Sequence, residues 1–280
     1  MIQFPKSVGQ SSKDLSANLT KMGQRVFFVL FLLGWGLVWS SLVFQLQLSG
    51  KPNSLEALLV FLATITTLFS LSRHLPGQNV LLAAAVIAAI GGTVYLIDIK
   101  TSIPFGPIIY SHDLGPRFFH ALPWAIPFVW VLAVLNSRGA ARLILRPWRK
   151  TRAYGWWVIG LTVVLSVLLD LGWEVFGAQV KHYWFWSETK FPVTWHGTPL
   201  VNFLGWIVTL LLILAFVTPA LINKKPGSKS PPDYHPLVVW LLLNLLFLTG
   251  AAVHQLWSAM IVTAISSVIV TAFALRGARW

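Results

Sequence analysis

Cysteine is absent from the chain. That excludes disulfides, thiolate metal sites and a cysteine nucleophile. Charge is scarce as well: 10% of residues are charged, against roughly 25% in a soluble domain. Acids are rarer still, eight against 21 Lys and Arg. No phosphate-cradling glycine loop, dinucleotide fingerprint or nucleophile elbow occurs, which argues against an ATP-driven pump, a nicotinamide enzyme and a serine hydrolase. The seven histidines include no HExxH and form no metal pattern, so no metal site is expected. A formal net charge of +13 would suit nucleic acid. The basic residues lie between apolar stretches rather than on one soluble face, so nucleic acid is excluded and the lipid bilayer is the expected partner.

What is abundant is long hydrophobic runs, in a chain that is 56% hydrophobic. A hydrocarbon core of roughly 30 Å needs about 20 apolar residues in a helix. Such runs cover Val26–Leu48, Leu55–Leu71, Asn79–Ile97, Phe118–Leu135, Tyr154–Phe176 and Val201–Ile222. The last stretch, Leu237–Leu275, would be about 58 Å long as one helix, so a break is expected near His254–Ser258. The fold class is therefore all-α, a polytopic transmembrane bundle of about eight spans. Residues 1–25 read as a polar cytoplasmic tail and 26–280 as a single transmembrane helical domain. The run after the tail is too long for a signal-peptide core, so the first helix is expected to be retained. With eight spans, sixteen of the 21 basic residues fall on one side and five on the other. That asymmetry puts both termini in the cytoplasm. Arg138, Arg142, Arg146, Arg149, Lys150 and Arg152 contribute most of it. The longest connections on the opposite side, Asp98–Arg117 and Gly177–Leu200, are rich in Pro, Gly and aromatics.

Most of the acids fall in tails, loops or span ends, where water is near, Asp98 and Glu56 among them. Asp170 and Glu174, in VLLDLGWEVF, do not. Their spacing of four places them on one helical face, one turn apart. An acid at the centre of a membrane helix costs about 2.5–3.5 kcal/mol on insertion scales. Two on one face repel if both ionise, and the simplest resolution is that one keeps its proton. A neutral carboxylic acid facing an apolar cavity is a general acid. The plainer alternative is that the span emerges near Asp170 and both acids meet headgroups.

The fifteen tryptophans include many expected interfacial anchors. Trp35, Trp39, Trp240 and Trp257 fit anchoring or packing. Trp173, Trp184 and Trp186, close to the acids, could instead line a cavity and stabilise a cation against their ring faces. Pro104, Pro107, Pro116, Pro123 and Pro127 predict a bent re-entry rather than a clean helix start. Asn202, just inside its span, is either a helix cap or an amide that orients water or holds a carboxyl. His74, His112 and His235 read as loop residues and His254 as a helix-end contact. His120, His182 and His196 lie toward the side of the long connections.

One set of elements is familiar in order and spacing. It is Pro104-Phe105-Gly106, Tyr110, Gly115-Pro116, Pro123, Pro127 and Trp130, then Asp170/Glu174, the Tyr183–Trp186 patch, and Gly197-x-Pro199-x-x-Asn202-Phe203-x-Gly205-Trp206. Together, over roughly residues 90–275, they resemble the membrane carotenoid hydratases, which include the gamma-carotene 1′-hydratases and the bisanhydrobacterioruberin hydratases. Two positions depart from that family's tendency: Val175 stands where Pro follows the second acid, and His196 where Tyr precedes the Gly-x-Pro.

The resemblance implies a hydro-lyase that adds water to the terminal double bond of an acyclic carotenoid and needs no redox cofactor. A protonated acid delivers a proton, and water captures the tertiary cation. It implies Glu174 or Asp170 as proton donor, and Tyr110, Asp113, Asn202 and His196 as candidates to hold the water. Phe105, Trp130, Trp173, Trp184 and Trp206 become candidates to contact substrate. It also implies an integral protein of a bacterial inner (plasma) membrane and association with other carotenoid enzymes. Three other readings stay open: a carotenoid end-group cyclase or isomerase, a proton-coupled carrier using the acid pair as its relay, and a non-enzymatic pigment assembly factor.

Overall fold

The computed structural model describes residues 7–46, 54–111, 114–188, 193–222 and 231–280. Among these, eight α-helices carry almost all the regular structure: α1 Ser7–Val43, α2 Ser54–Ser72, α3 Gly77–Thr101, α4 Ile126–Ile144, α5 Tyr154–Val175, α6 Leu200–Val217, α7 His235–Val253 and α8 Trp257–Ala278. Seven are long and apolar enough to cross a membrane, all except α4. The protein is an integral membrane protein with an all-α fold. The break expected in the last stretch lies between Val253 and Trp257. The first helix begins at Ser7, well before the expected Val26, and its apolar span runs Asn18–Val43. Its full length of about 55 Å exceeds a hydrocarbon core.

The fourth helix departs furthest from expectation. It starts at Ile126 and carries Asn136, Ser137, Arg138 and Arg142 within it, where the sequence pattern placed a span ending at Leu135. The reason lies in its surroundings. Helix α4 packs against α2, α3, α5, α7 and α8, so buried Asn136, Ser137 and Arg138 meet protein rather than lipid, where they are tolerated, while Arg142 is exposed. Asn136 Nδ2 donates to Thr67 Oγ1 at 3.1 Å, and Arg138 donates to the Leu221 carbonyl at 3.2 Å. Around this axis, α1 packs on α2 and α7, and α6 on α3 and α5. Trp35 and Trp39 stack on one another and donate to Leu242 O and Thr249 Oγ1, fastening α1 to α7. Trp240 is fully buried, whereas Trp257 is exposed.

The two long connections fold back at one end of the bundle. After α3 the chain turns through a cis Ile103–Pro104 bond into β1 (Ile108–Tyr110), β2 (Arg117–Phe118) and β3 (Leu122–Pro123). Pro127 then sits in the first turn of α4, where proline costs no hydrogen bond. After α5 a π-helical turn, Phe176–Val180, leads into β4 (Trp184–Trp186), β5 (Thr194–Trp195) and β6 (Thr198–Pro199). Strand β1 pairs antiparallel with β4, setting Tyr110 opposite Trp184 and Ile109 opposite Phe185. Alternation along the strands turns Ile108, Tyr110 and Trp184 inward and leaves Ile109 and Phe185 exposed. Lys181 closes a 2.6 Å ion pair with Glu56 at the start of α2.

Candidate active site

Beneath the β1–β4 ribbon lies the acid pair. Asp170 and Glu174 are 1% and 2% exposed, so neither reaches headgroups at the end of α5. Glu174 Oε2 accepts three hydrogen bonds: from Trp184 Nε1 at 2.9 Å, Trp186 Nε1 at 3.1 Å and Thr198 Oγ1 at 3.3 Å. These donors come from β4 and β6, so one carboxyl oxygen ties the second long connection to α5. The π-helical turn makes this possible. Single π turns recur at functional sites because they re-aim the side chains that follow. Here the turn carries the chain so close to Trp184 that Gly177 has no room for a Cβ against the indole ring.

Asp170 has a different environment. Its Oδ2 accepts from Asn202 Nδ2 at 3.2 Å. Asn202 is fully buried in the first turn of α6, and no side chain caps that helix. Of its two expected roles, the structure therefore shows the amide holding a carboxyl. Asp170 Oδ1 and Asn202 Oδ1 are both buried and without a partner.

A small cavity opens beside Glu174. Its free volume is about 10 Å³, room for about one water. Six aromatic side chains surround it: Tyr95 from α3, Tyr110 from β1, Trp130 from α4, Trp173 from α5, Trp184 from β4 and Trp206 from α6. Ile108, Ile126 and Val129 complete the wall. Trp130 and Trp206 stack at 4.2 Å between ring centroids. Burial pushes the Tyr110 hydroxyl well above its usual titration range, and the nearby Glu174 adds to the effect, so Tyr110 is a neutral group there. Such a site combines a carboxylic acid, aromatic faces that attract a cation, and space for one small polar molecule.

A family model described as carotenoid biosynthesis protein matches residues 55–272. The chain belongs to this family. It is also 29% identical over 115 residues to the bisanhydrobacterioruberin hydratase of Haloarcula japonica, a stretch covering 41% of this chain and 36% of that protein. The chain thus spans about a third of the length of the curated relative it matches. No solved structure matches it.

In this carotenoid biosynthesis protein, the residues singled out from sequence distribute as follows. Glu174, Tyr110, Trp130, Trp173, Trp184 and Trp206 line the cavity, and Asp170 and Asn202 form the adjoining pair. Phe105 does not line it. It stacks on Tyr95 at 4.4 Å and lies against Trp130, backing the wall. Gly205 lets it do so, since a Cβ there would stand 2.7 Å from the Phe105 ring and 2.8 Å from the Pro104 carbonyl. His196 turns away from the acids: its Nε2 lies 2.8 Å from Ser258 Oγ, and burial lowers its pKa. His182 stacks on Phe185, and His120 is exposed. Asp113 and His112 lie outside the described residues.

Three participants escaped the sequence reading. Tyr95 is an unremarked tyrosine within an apolar span. Thr198 occupies the unspecified position of Gly197-x-Pro199. Asp98, expected near water, is 1% exposed, and its Oδ1 accepts the Phe105 and Gly106 N–H groups at 2.7 and 3.2 Å. The density of ring-bearing residues around the acids was the only signal for the first, and a polar residue inside a recurring motif the only one for the second.

Proposed function

We propose that the protein is a carotenoid hydratase, adding water to the terminal double bond of an acyclic carotenoid end. The observation that carries this reading is the setting of Glu174: a buried carboxyl at a cavity with six aromatic walls and room for about one water, in a chain of the carotenoid biosynthesis family. The hydratase name of the Haloarcula japonica relative supports it.

The acid pair starts with one proton. That proton passes to the less substituted alkene carbon, and the alkene π pair forms the new C–H bond. The tertiary cation left behind faces the electron-rich rings. Water adds to it, and the proton released returns to the acid pair. Alkene and water are consumed, an alcohol is formed, and no electrons are exchanged, so the reaction draws on no redox cofactor. The basic-residue asymmetry supports both termini in the cytoplasm and the ribbon end on the opposite face of a bacterial inner membrane. An enzyme embedded with its lipid substrate is also placed to associate with other carotenoid enzymes.

Expression in a bacterial host that accumulates an acyclic carotenoid tests the reading. Chromatography with mass spectrometry of the pigments is expected to show a more polar product, heavier by one water per modified end. Glu174→Gln abolishes it while protein remains in the membrane. A new product of unchanged mass would identify a cyclase or isomerase instead. Unchanged pigment beside folded protein would move weight to a carrier or assembly role.

A further inference from the structure

We propose that Glu174 is the proton donor and that Asp170 and Asn202 hold the attacking water. The assignment rests on the hydratase reading and deepens it by dividing the labour within the site.

The two carboxyls differ in what their oxygens can still do. Glu174 Oε2 is taken up by three donors, so a proton on this group resides on Oε1. Glu174 is also the acid that lines the cavity. Asp170 sits one turn earlier on α5 and is joined to Asn202 through one bond, Nδ2–H to Oδ2, and the same Asn202 side chain also reaches Glu174. This leaves two buried oxygens, Asp170 Oδ1 and Asn202 Oδ1, with no hydrogen-bond partner. Both side chains are at most 1% exposed. Buried polar atoms without partners are rare enough that each calls for a reason.

With Asp170 ionised, both orphans are acceptors, and that decides the role. A water that donates one O–H to each keeps its lone pairs free, which is what attack on a cation requires. The unpartnered indole groups among the cavity-lining side chains have the opposite polarity. Trp130 Nε1 and Trp206 Nε1 can only donate, and the Tyr110 hydroxyl, which can donate as well as accept, is a single group with no second acceptor beside it among these unpartnered groups. A donor engages the lone pairs that a nucleophile must keep, so these groups suit the finished alcohol oxygen better than the attacking one.

The steps balance. The Glu174 Oε1–H bond breaks as the alkene π pair forms the C–H bond. A water lone pair forms the C–O bond at the tertiary carbon. The oxonium proton goes to Asp170 Oδ1, ionised at that point, while Glu174 is left as the carboxylate. The pair again holds one proton, now on Asp170, and transfer across one helical turn returns it to Glu174.

Losing the water site does not stop the cation from forming. The cation then gives a methyl proton back to Glu174 and reverts to alkene. Membranes containing the protein and an acyclic carotenoid, incubated in D2O, separate the two steps. Alcohol formed reports capture, and deuterium in the recovered alkene reports protonation and return.

Glu174→Gln is expected to lose both signals. Asp170→Asn and Asn202→Leu are expected to lose alcohol by at least about tenfold while deuterium still enters the recovered alkene. A merely structural role would lower both signals together. The proposal is overturned if either variant, folded by size-exclusion in detergent, keeps its alcohol yield or loses both signals in parallel. Asp170→Asn preserves size and decides the matter alone should Asn202→Leu fail to fold. Wild-type protein that yields neither signal would remove the hydratase reading itself, a result separate from any difference between the variants.

Discussion

Gly177→Ala makes a sharp test of how Glu174 is held. The new Cβ would overlap the Trp184 ring, where an ordinary contact lies at 3.4–4 Å. The π-helical backbone is pinned by the Lys181 N–H to Phe176 O bond and the Tyr183 N–H to Gly177 O bond, so the indole must give way. A shift of about 1 Å carries its 2.9 Å bond to Glu174 beyond hydrogen-bonding range. Losing a bond to a charged or charge-forming group costs about 1.5–3 kcal/mol, and overpacking a filled site adds about 1–3 kcal/mol. If the first cost falls on the acid's geometry, turnover drops roughly 10- to 150-fold. The second lowers thermal stability. Gly160→Ala is the matched control, because nothing lies within 4 Å of a Cβ there. Pigment conversion per unit of membrane protein, with thermal unfolding in detergent, reads both effects. A Gly177→Ala protein with the activity and stability of the Gly160→Ala control would refute the reasoning.

Two further outcomes follow from other contacts. Trp186→Phe keeps an aromatic ring but removes the 3.1 Å donor to Glu174. Its turnover is expected to fall by about tenfold or more at unchanged protein level, and wild-type turnover would show the bond to be idle. At the other end of the bundle, burial alone would raise the Asp233 carboxyl, but hydrogen bonds and charge from His74 and His235 hold it below its ordinary value. A carboxyl depressed in the folded state contributes stability above the ordinary aspartate range and loses it as pH falls through the folded value. Asp233→Asn should therefore unfold at lower temperature near pH 7, and the gap from wild type should narrow in acid. A gap that persists in acid would mean the contribution is not electrostatic.

The acid pair was legible because i, i+4 spacing fixes a shared face whatever the rest of the chain does. The break after Val253 was legible from length alone. Helix α4 was not, because Asn136, Ser137 and Arg138 look like a membrane exit unless one knows that five other helices pack on α4 and bury them. Hydropathy counts residues along one helix and carries no information on its neighbours. Pairing of Ile108–Tyr110 with Trp184–Trp186 escaped for a related reason. Three-residue strands have no period to detect, and their partners are far apart in sequence. Asp98 looked wet at the end of a span, yet the connection folds back and caps it with the Phe105 and Gly106 N–H groups. Asn202 had two readings of equal standing from sequence, and only its partner across the bundle separates them.

A cavity lined by a single acid, Glu174, bears on stoichiometry as well as chemistry. Under the hydratase reading each visit to the site delivers one proton to a single chain end. A polyene with two reactive ends has to withdraw, reverse and present the other before it can be modified twice. Pigment altered at one end should then rise first and be drawn down later, and the ratio of single to double product becomes a clock for how often the substrate lets go.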